Sequence, residues 1–260
     1  MLKDILKVYE YREMLKSSVR KELRSRYKGS VLGFLWTFLN PLLMLVVYSI
    51  LFATIMKIQV PQYPYALFLF VGLVPWTYFA TAVQQSTTTI IANNNLVKKI
   101  YFPRIILPIS VTMTNLVNML YTFAIVFIAL LISQAPVTSL YLYLPLIILI
   151  QTILVLAFSI ILACVTVYFR DLEHIISILM MAWFYFTPII YPEDYIPSRY
   201  LAFFRANPMM PLIDAYRDIL MYNKLPDMMG LLYVFMLSVM ILVIGYNVFN
   251  VLQKRFAEEI

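Results

Sequence analysis

Charged residues are scarce in this 260-residue chain, where Asp, Glu, Lys and Arg make up 13% against 63% hydrophobic residues. A soluble domain of this size could not bury so much apolar surface, so lipid must cover the remainder. The one cysteine, Cys164, excludes an intrachain disulfide and a multi-cysteine metal site. No G-x-x-x-x-G-K-S/T phosphate loop occurs, so ATP hydrolysis by that route would need a separate polypeptide. Residues 1–28 are charged and only periodically apolar, which does not fit a removable secretory leader. Internal repeats and low-complexity segments are also lacking, and the chain reads as one membrane domain.

What remains is segregated. Residues 29–56, 58–97, 105–169, 175–192 and 228–253 contain no Asp, Glu, Lys or Arg. At about 1.5 Å per residue, roughly 20 apolar residues cross a hydrocarbon core of about 30 Å. The pattern predicts an all-α integral membrane protein with six transmembrane helices, near 34–56, 65–89, 106–132, 142–168, 173–191 and 230–252. The fifth is the shortest.

Basic residues set the orientation, because Lys and Arg in short loops stay on the cytoplasmic side. Alternate segments carry nine in the amino-terminal stretch, three after span two, one after span four and two in the tail, fifteen of twenty in all. Both termini are therefore predicted to be cytoplasmic. The same clustering beside apolar spans favours a lipid surface over nucleic acid as the partner of the +7 net charge.

Two segments lie outside this scheme. Residues 1–28 form a cytoplasmic segment in which Leu2, Ile5, Leu6, Tyr9, Leu15, Val19, Leu23 and Tyr27 recur at helical spacing among basic residues. That suits an interfacial amphipathic helix, with a solvated basic tail as the alternative. Residues 29–260 form the membrane domain, and its stretch from Pro192 to Met229 is too apolar and aromatic for a free linker. It reads either as a re-entrant helical hairpin lining a passage or as a lid lying flat on the outer interface.

Candidate chemistry is sparse. His174 with Asp171 and Glu173 could start a metal or acid-base site, but the trio also suits the polar start of span five, with Asp171 as its cap. Spans one to four and six carry no Asp, Glu, Lys, Arg or His; a charge there would cost roughly 2.5–3.5 kcal/mol or more at membrane depth. Ion-coupled transport therefore loses ground to energy supplied by a soluble partner. Trp183, Phe184, Tyr185 and Phe186 precede a proline, and their ring faces suit either interface anchoring or stacking on sugars.

Four runs resemble one family. RYKGSVLGFLWTFLNP at 26–41, LVKKIYFPRIILPIS at 96–110, YFRDLEHIISILMMAWFYFTPIIYP at 168–192 and NPMMPLIDAYRDIL at 207–220 are similar, in order and spacing, to type-2 ABC transporter permeases. Those permeases export teichoic acid, O-antigen and related polysaccharides. The resemblance implies a homodimer bound to two copies of a separate ATPase, which holds ATP and Mg, with no cofactor on this chain. It also implies two short outer re-entrant helices and a continuous path for a polymer linked to undecaprenyl phosphate or diphosphate.

The resemblance also suggests residue roles. Coupling to the ATPase falls on Asn95, Leu96, Lys98, Lys99, Tyr101, Phe102 and Arg104, with Leu96, Tyr101 and Phe102 as an apolar plug; read without the resemblance, Lys98, Lys99 and Arg104 equally suit enforcement of topology. Arg24, Arg26 and Lys28, near Gly33, suit the anionic headgroup of the lipid-linked cargo, with ordinary anchoring to anionic membrane lipid as the alternative. Asp214, Arg217 and Asp218 share a helix face, with ordinary structural pairing or an outer gate as readings. Competing functions are a membrane-embedded glycan- or lipid-modifying enzyme centred on His174, and a structural scaffold.

Overall fold

Residues 9–25, 32–58, 60 and 62–259 are described by this computed structural model. Among them every regular element is helical. The elements are α1 (Arg12–Ser25), α2 (Trp36–Tyr48), α3 (Tyr65–Ala92), α4 (Asn94–Lys99), α5 (Ile106–Ile132), α6 (Leu144–Tyr168), α7 (Leu172–Tyr185), α8 (Ser198–Arg205), α9 (Met209–Arg217), α10 (Met228–Leu252) and α11 (Phe256–Glu259).

Among the described residues five stretches are long and apolar enough to cross a membrane: Phe38–Ile55, Tyr65–Ala92, Ile106–Ile132, Ser139–Tyr168 and Met228–Arg255. They fall on five of the six predicted spans. The predicted fifth span is the exception, because its helix stops at Tyr185 after 14 residues. That length covers about 21 Å at 1.5 Å per residue, short of the hydrocarbon core. Pro188 lacks an N–H and disfavours helix at the residue before it, and residues 186–191 continue as turns.

α3 is the central helix. It packs against α5, α6 and α9, and α6 lies along α10. Leu69, Val71, Phe79, Ala82 and Val83 of α3 are fully buried, which suits a helix that is apolar all round. Span one is different. It rests on α3 and α5, carries Pro41 inside α2, widens into a π-helical stretch at Ser49–Ile55, and exposes Leu43, Met44, Val47 and Ile50.

Polar groups inside the bundle satisfy themselves locally or across helices. Thr112, Thr114 and Ser238 donate to carbonyls four residues back at 2.6–3.0 Å, the usual arrangement for hydroxyls in apolar helices. Gln151 reaches further: its Nε2 donates to Pro75 O at 2.7 Å and its Oε1 accepts from Tyr216 Oη at 2.8 Å. One fully buried amide thus joins α3, α6 and α9.

At one end of the bundle α4, the turn after it and α11 join the ends of α3, α5, α6 and α10 in a second apolar cluster of Ile90, Val97, Phe102, Leu107, Val167, Phe249 and Phe256. Lys98, Lys99, Arg104, Lys254 and Arg255 lie on or beside these elements and make this the basic end. α1 packs against α5. It half-buries Met14, Leu15, Val19 and Leu23 and exposes Arg12, Lys16, Arg20 and Lys21.

Candidate functional site

At the basic end, α4 follows Asn93, whose Nδ2 donates to Thr89 O at 2.8 Å. The chain then turns extended at Ile100 (φ −127°, ψ 135°). Extended backbone alternates its side chains, so neighbours part company. Tyr101 is 93% exposed, while Phe102 is 6% exposed and sits in the apolar cluster. Leu96 is half-buried against that cluster, and Asn95, Lys98 and Lys99 are exposed. The exposed apolar surface is therefore Ile100 and Tyr101; of the three residues expected as a plug, Phe102 and Leu96 turn toward the chain's own interior.

Arg104 also turns inward. Its Nη1 donates to Gln253 O, and its guanidinium lies 5.8 Å from the Phe256 ring centre. Phe256 is fully buried and meets Phe249 edge-on at 5.6 Å. Residues 100–105 and the tail together line a cavity of about 600 Å³.

Of the expected headgroup residues, Arg24 is exposed on the last turn of α1. Gly33 adopts φ +47°, a left-handed conformation that costs glycine little. Arg26 and Lys28 lie outside the described residues.

The four aromatics of α7 divide into two pairs. Trp183 Nε1 donates to Asn207 Oδ1 at 2.8 Å, and its ring meets Phe79 and Phe158 edge-on at 5.2 and 5.8 Å. Phe184 is buried, stacked on Tyr48 at 5.7 Å. Tyr185 and Phe186 are exposed, with Phe186 edge-on to Phe203 of α8. Asp171, expected to cap α7, occupies the N-cap position with a helical backbone and no side-chain capping bond. A cap requires extended backbone there, so the expectation is corrected.

At the opposite end, Arg217 organises the segment between α7 and α10. It is 3% exposed. Its Nη1 donates to Pro188 O at 2.7 Å, its Nη2 to Ile189 O at 2.8 Å, and the guanidinium lies 3.6 Å from the Phe68 ring centre. Asp214 is farther, with 4.0 Å between Oδ1 and Nη1. Burial lowers the Arg217 pKa to about 10, so it remains charged at neutral pH. Burial likewise pushes Asp214 up to about 6, against the opposing pull of Arg217, although its side chain keeps 37% exposure toward a cavity. Burial raises Asp218 as well. The three residues line one cavity of about 720 Å³ with Glu193, Arg205 and Lys224.

Sequence reasoning missed Asn207 and Gly72. Asn207 Oδ1 accepts from Trp183 Nε1 and Met209 N, and its Nδ2 donates to Phe186 O and Thr187 Oγ1. The Asn-Pro pair before a new helix was a signal for a capping residue. Nothing comparable marked Gly72 in an uninterrupted apolar run.

The sequence profile of the ABC-2 type transporter family matches residues 13–221. The chain belongs to the ABC-2 type transporter family. Among its relatives, the O-antigen export system permease protein RfbA of Myxococcus xanthus is 38% identical over 263 residues, covering 100% of both chains. A Klebsiella pneumoniae protein of the same description is 36% identical over 248 residues, covering 95% of this chain and 94% of the relative. The polysialic acid transport protein KpsM of Escherichia coli is 24% identical over 238 residues, covering 88% and 90%. In this ABC-2 transporter component the exposed Ile100–Tyr101 tip follows the last turns of α3 and α4, whereas Arg217 and its charged cavity pack on Phe68 at the start of α3.

Proposed function

We infer that this chain is the membrane permease of an exporter that carries a lipid-linked cell-envelope polysaccharide of the O-antigen class across the bacterial cytoplasmic membrane. The observation that carries this reading is the 38% identity along the whole chain with an O-antigen export permease. Work comes from two copies of a separate ATPase that binds ATP and Mg, acting on a homodimer of this chain. The basic end faces the cytoplasm, which puts both termini there and lets anionic lipid meet α1 as an interfacial amphipathic helix. α7 with residues 186–191 completes a sixth crossing, and α8 with α9 forms the re-entrant hairpin at the outer side.

Ile100 and Tyr101, flanked by Lys98 and Lys99, are the face offered to the ATPase. Phe102 and Arg104 transmit its stroke inward to α6 and α10. The undecaprenyl-linked headgroup is received near Arg24 and Gly33. Tyr185 and Phe186 offer ring faces to the passing glycan, while Asp214, Arg217 and Asp218 shape the outer mouth.

Reconstitution with the cognate ATPase in liposomes that carry a fluorescent undecaprenyl-linked oligosaccharide tests the reading. ATP-dependent appearance of the sugar on the opposite leaflet is expected. Transport equal in the presence and absence of hydrolysable ATP would overturn it.

A further inference from the structure

We propose that a polar cavity between span one, α3 and α5 is a binding site for an uncharged hydroxyl-bearing ligand, anchored by Asn118. The cavity holds about 140 Å³ and is lined by Asn40, Pro41, Thr77, Tyr78, Asn118 and Thr122, among others. Asn118 stands midway along α5 (Ile106–Ile132), the deepest position a crossing helix offers. It is 9% exposed, and neither its Nδ2 nor its Oδ1 has a hydrogen-bond partner in the described protein. Buried side-chain amides are nearly always satisfied, and leaving one unpaired amid hydrocarbon is costly. Its neighbour Asn115, one turn away, shows the ordinary solution: its Nδ2 donates to Gln85 Oε1 and Val111 O, both at 2.9 Å.

The lining defines the ligand. Thr77 gives its hydroxyl hydrogen to Leu73 O at 2.7 Å, Thr122 to Asn118 O at 3.0 Å and Tyr78 to Thr152 Oγ1 at 3.3 Å. Each oxygen keeps acceptor capacity after donating. The cavity therefore combines several acceptors with the two amide hydrogens of Asn118. Among the described residues no Lys or Arg lines it to hold an anion, and no Asp or Glu to hold a cation. Hydroxyls, supplied by water or by sugar, both donate and accept without charge. The volume matches about four to five waters at roughly 30 Å³ each, or one edge of a saccharide ring.

The wall formed by span one is the part able to yield. Pro41 has no N–H to complete the helix ladder, and the helix widens at Ser49–Ile55 just beyond. The sugar source rests on the polysaccharide-export reading, whereas the water source does not.

The test uses the full chain in lipid nanodiscs with 15N-labelled asparagine side chains. Solid-state NMR transfer to Asn118 is recorded from bulk water and from 13C-labelled methyl β-D-galactoside. A cross-peak from either probe is expected in the wild type and lost in Asn118→Leu. Should that variant fail to fold, Thr122→Val, which removes one acceptor beside an intact Asn118, is expected to weaken the same cross-peak. Transfer from the galactoside identifies a sugar as the ligand, and transfer from water alone identifies water. An Asn118 amide without transfer from either probe would overturn the site, whatever the export assay shows.

Discussion

The guanidinium of Arg217 occupies the space left by the missing side chain of Gly72: a Cβ there would lie 2.7 Å from Nη2 and 3.3 Å from Ile213 Cγ2. The close approach lets a charged group sit against α3 while it holds the carbonyls of Pro188 and Ile189. Gly72→Ala is expected to push the guanidinium off at least one carbonyl and to cost about 1–3 kcal/mol. Arg217→Ala, which frees two buried carbonyls, is expected to cost about 3–5 kcal/mol. Thermal unfolding in detergent micelles checks both, and a Gly72→Ala variant as stable as the wild type would contradict the packing argument.

Asp214 gives the same region a pH signature. Its folded pKa is about 6, above the ordinary 3.8, so the folded chain binds this proton more tightly than the unfolded one. The ionised carboxylate therefore works against folding above pH 6, and that penalty fades as pH falls from about 6 toward about 4. The melting temperature of the wild type relative to Asp214→Asn should rise over that window. A difference that stays flat, or falls, would refute the assignment.

Tyr101 and Phe102 are adjacent yet should separate function from stability. Phe102→Ala empties part of the buried cluster and is expected to cost about 3–5 kcal/mol. Tyr101→Ala removes an exposed side chain and is expected to change stability by no more than about 0.5 kcal/mol. In the reconstituted transporter it should nevertheless lower the ATPase-coupled rate. Unaltered coupling in a folded Tyr101→Ala protein would remove the tip from the ATPase contact.

Asn207 should matter more than the tryptophan it holds. Trp183→Phe loses one hydrogen bond, about 1 kcal/mol, while Asn207→Ala breaks four contacts between the end of α7 and α9, about 2–4 kcal/mol. Urea or thermal unfolding of the two variants side by side settles the order.

The crossing helices were legible because composition alone decides them. The span expected at 106–132 is the helix Ile106–Ile132, and the one expected at 142–168 contains Leu144–Tyr168. The end of α7 was legible only in part: Pro188 marked a break, but Ile189 and Ile190 are as apolar as helical residues, and the grip of Arg217 and Asn207 that holds nearby backbone in its turn comes from distant elements. Not legible was the inward turn of Phe102, which lies in the non-helical stretch 100–105 that the extended Ile100 opens between α4 and α5. The mid-helix asparagines were visible as letters. Their inequality, one tied to Gln85 and one facing a cavity, depends on the neighbouring helices.

The bond pair at Gln151 carries a mechanical corollary. Since a single side chain fastens α3, α6 and α9 to one another deep in the bundle, these three helices must travel as one rigid slab. Any widening of a conduit then falls to elements outside the slab, above all span one, with its internal proline and π-helical stretch. A disulfide engineered across the slab would leave transport speed untouched, whereas one that staples span one to it would stall the machine.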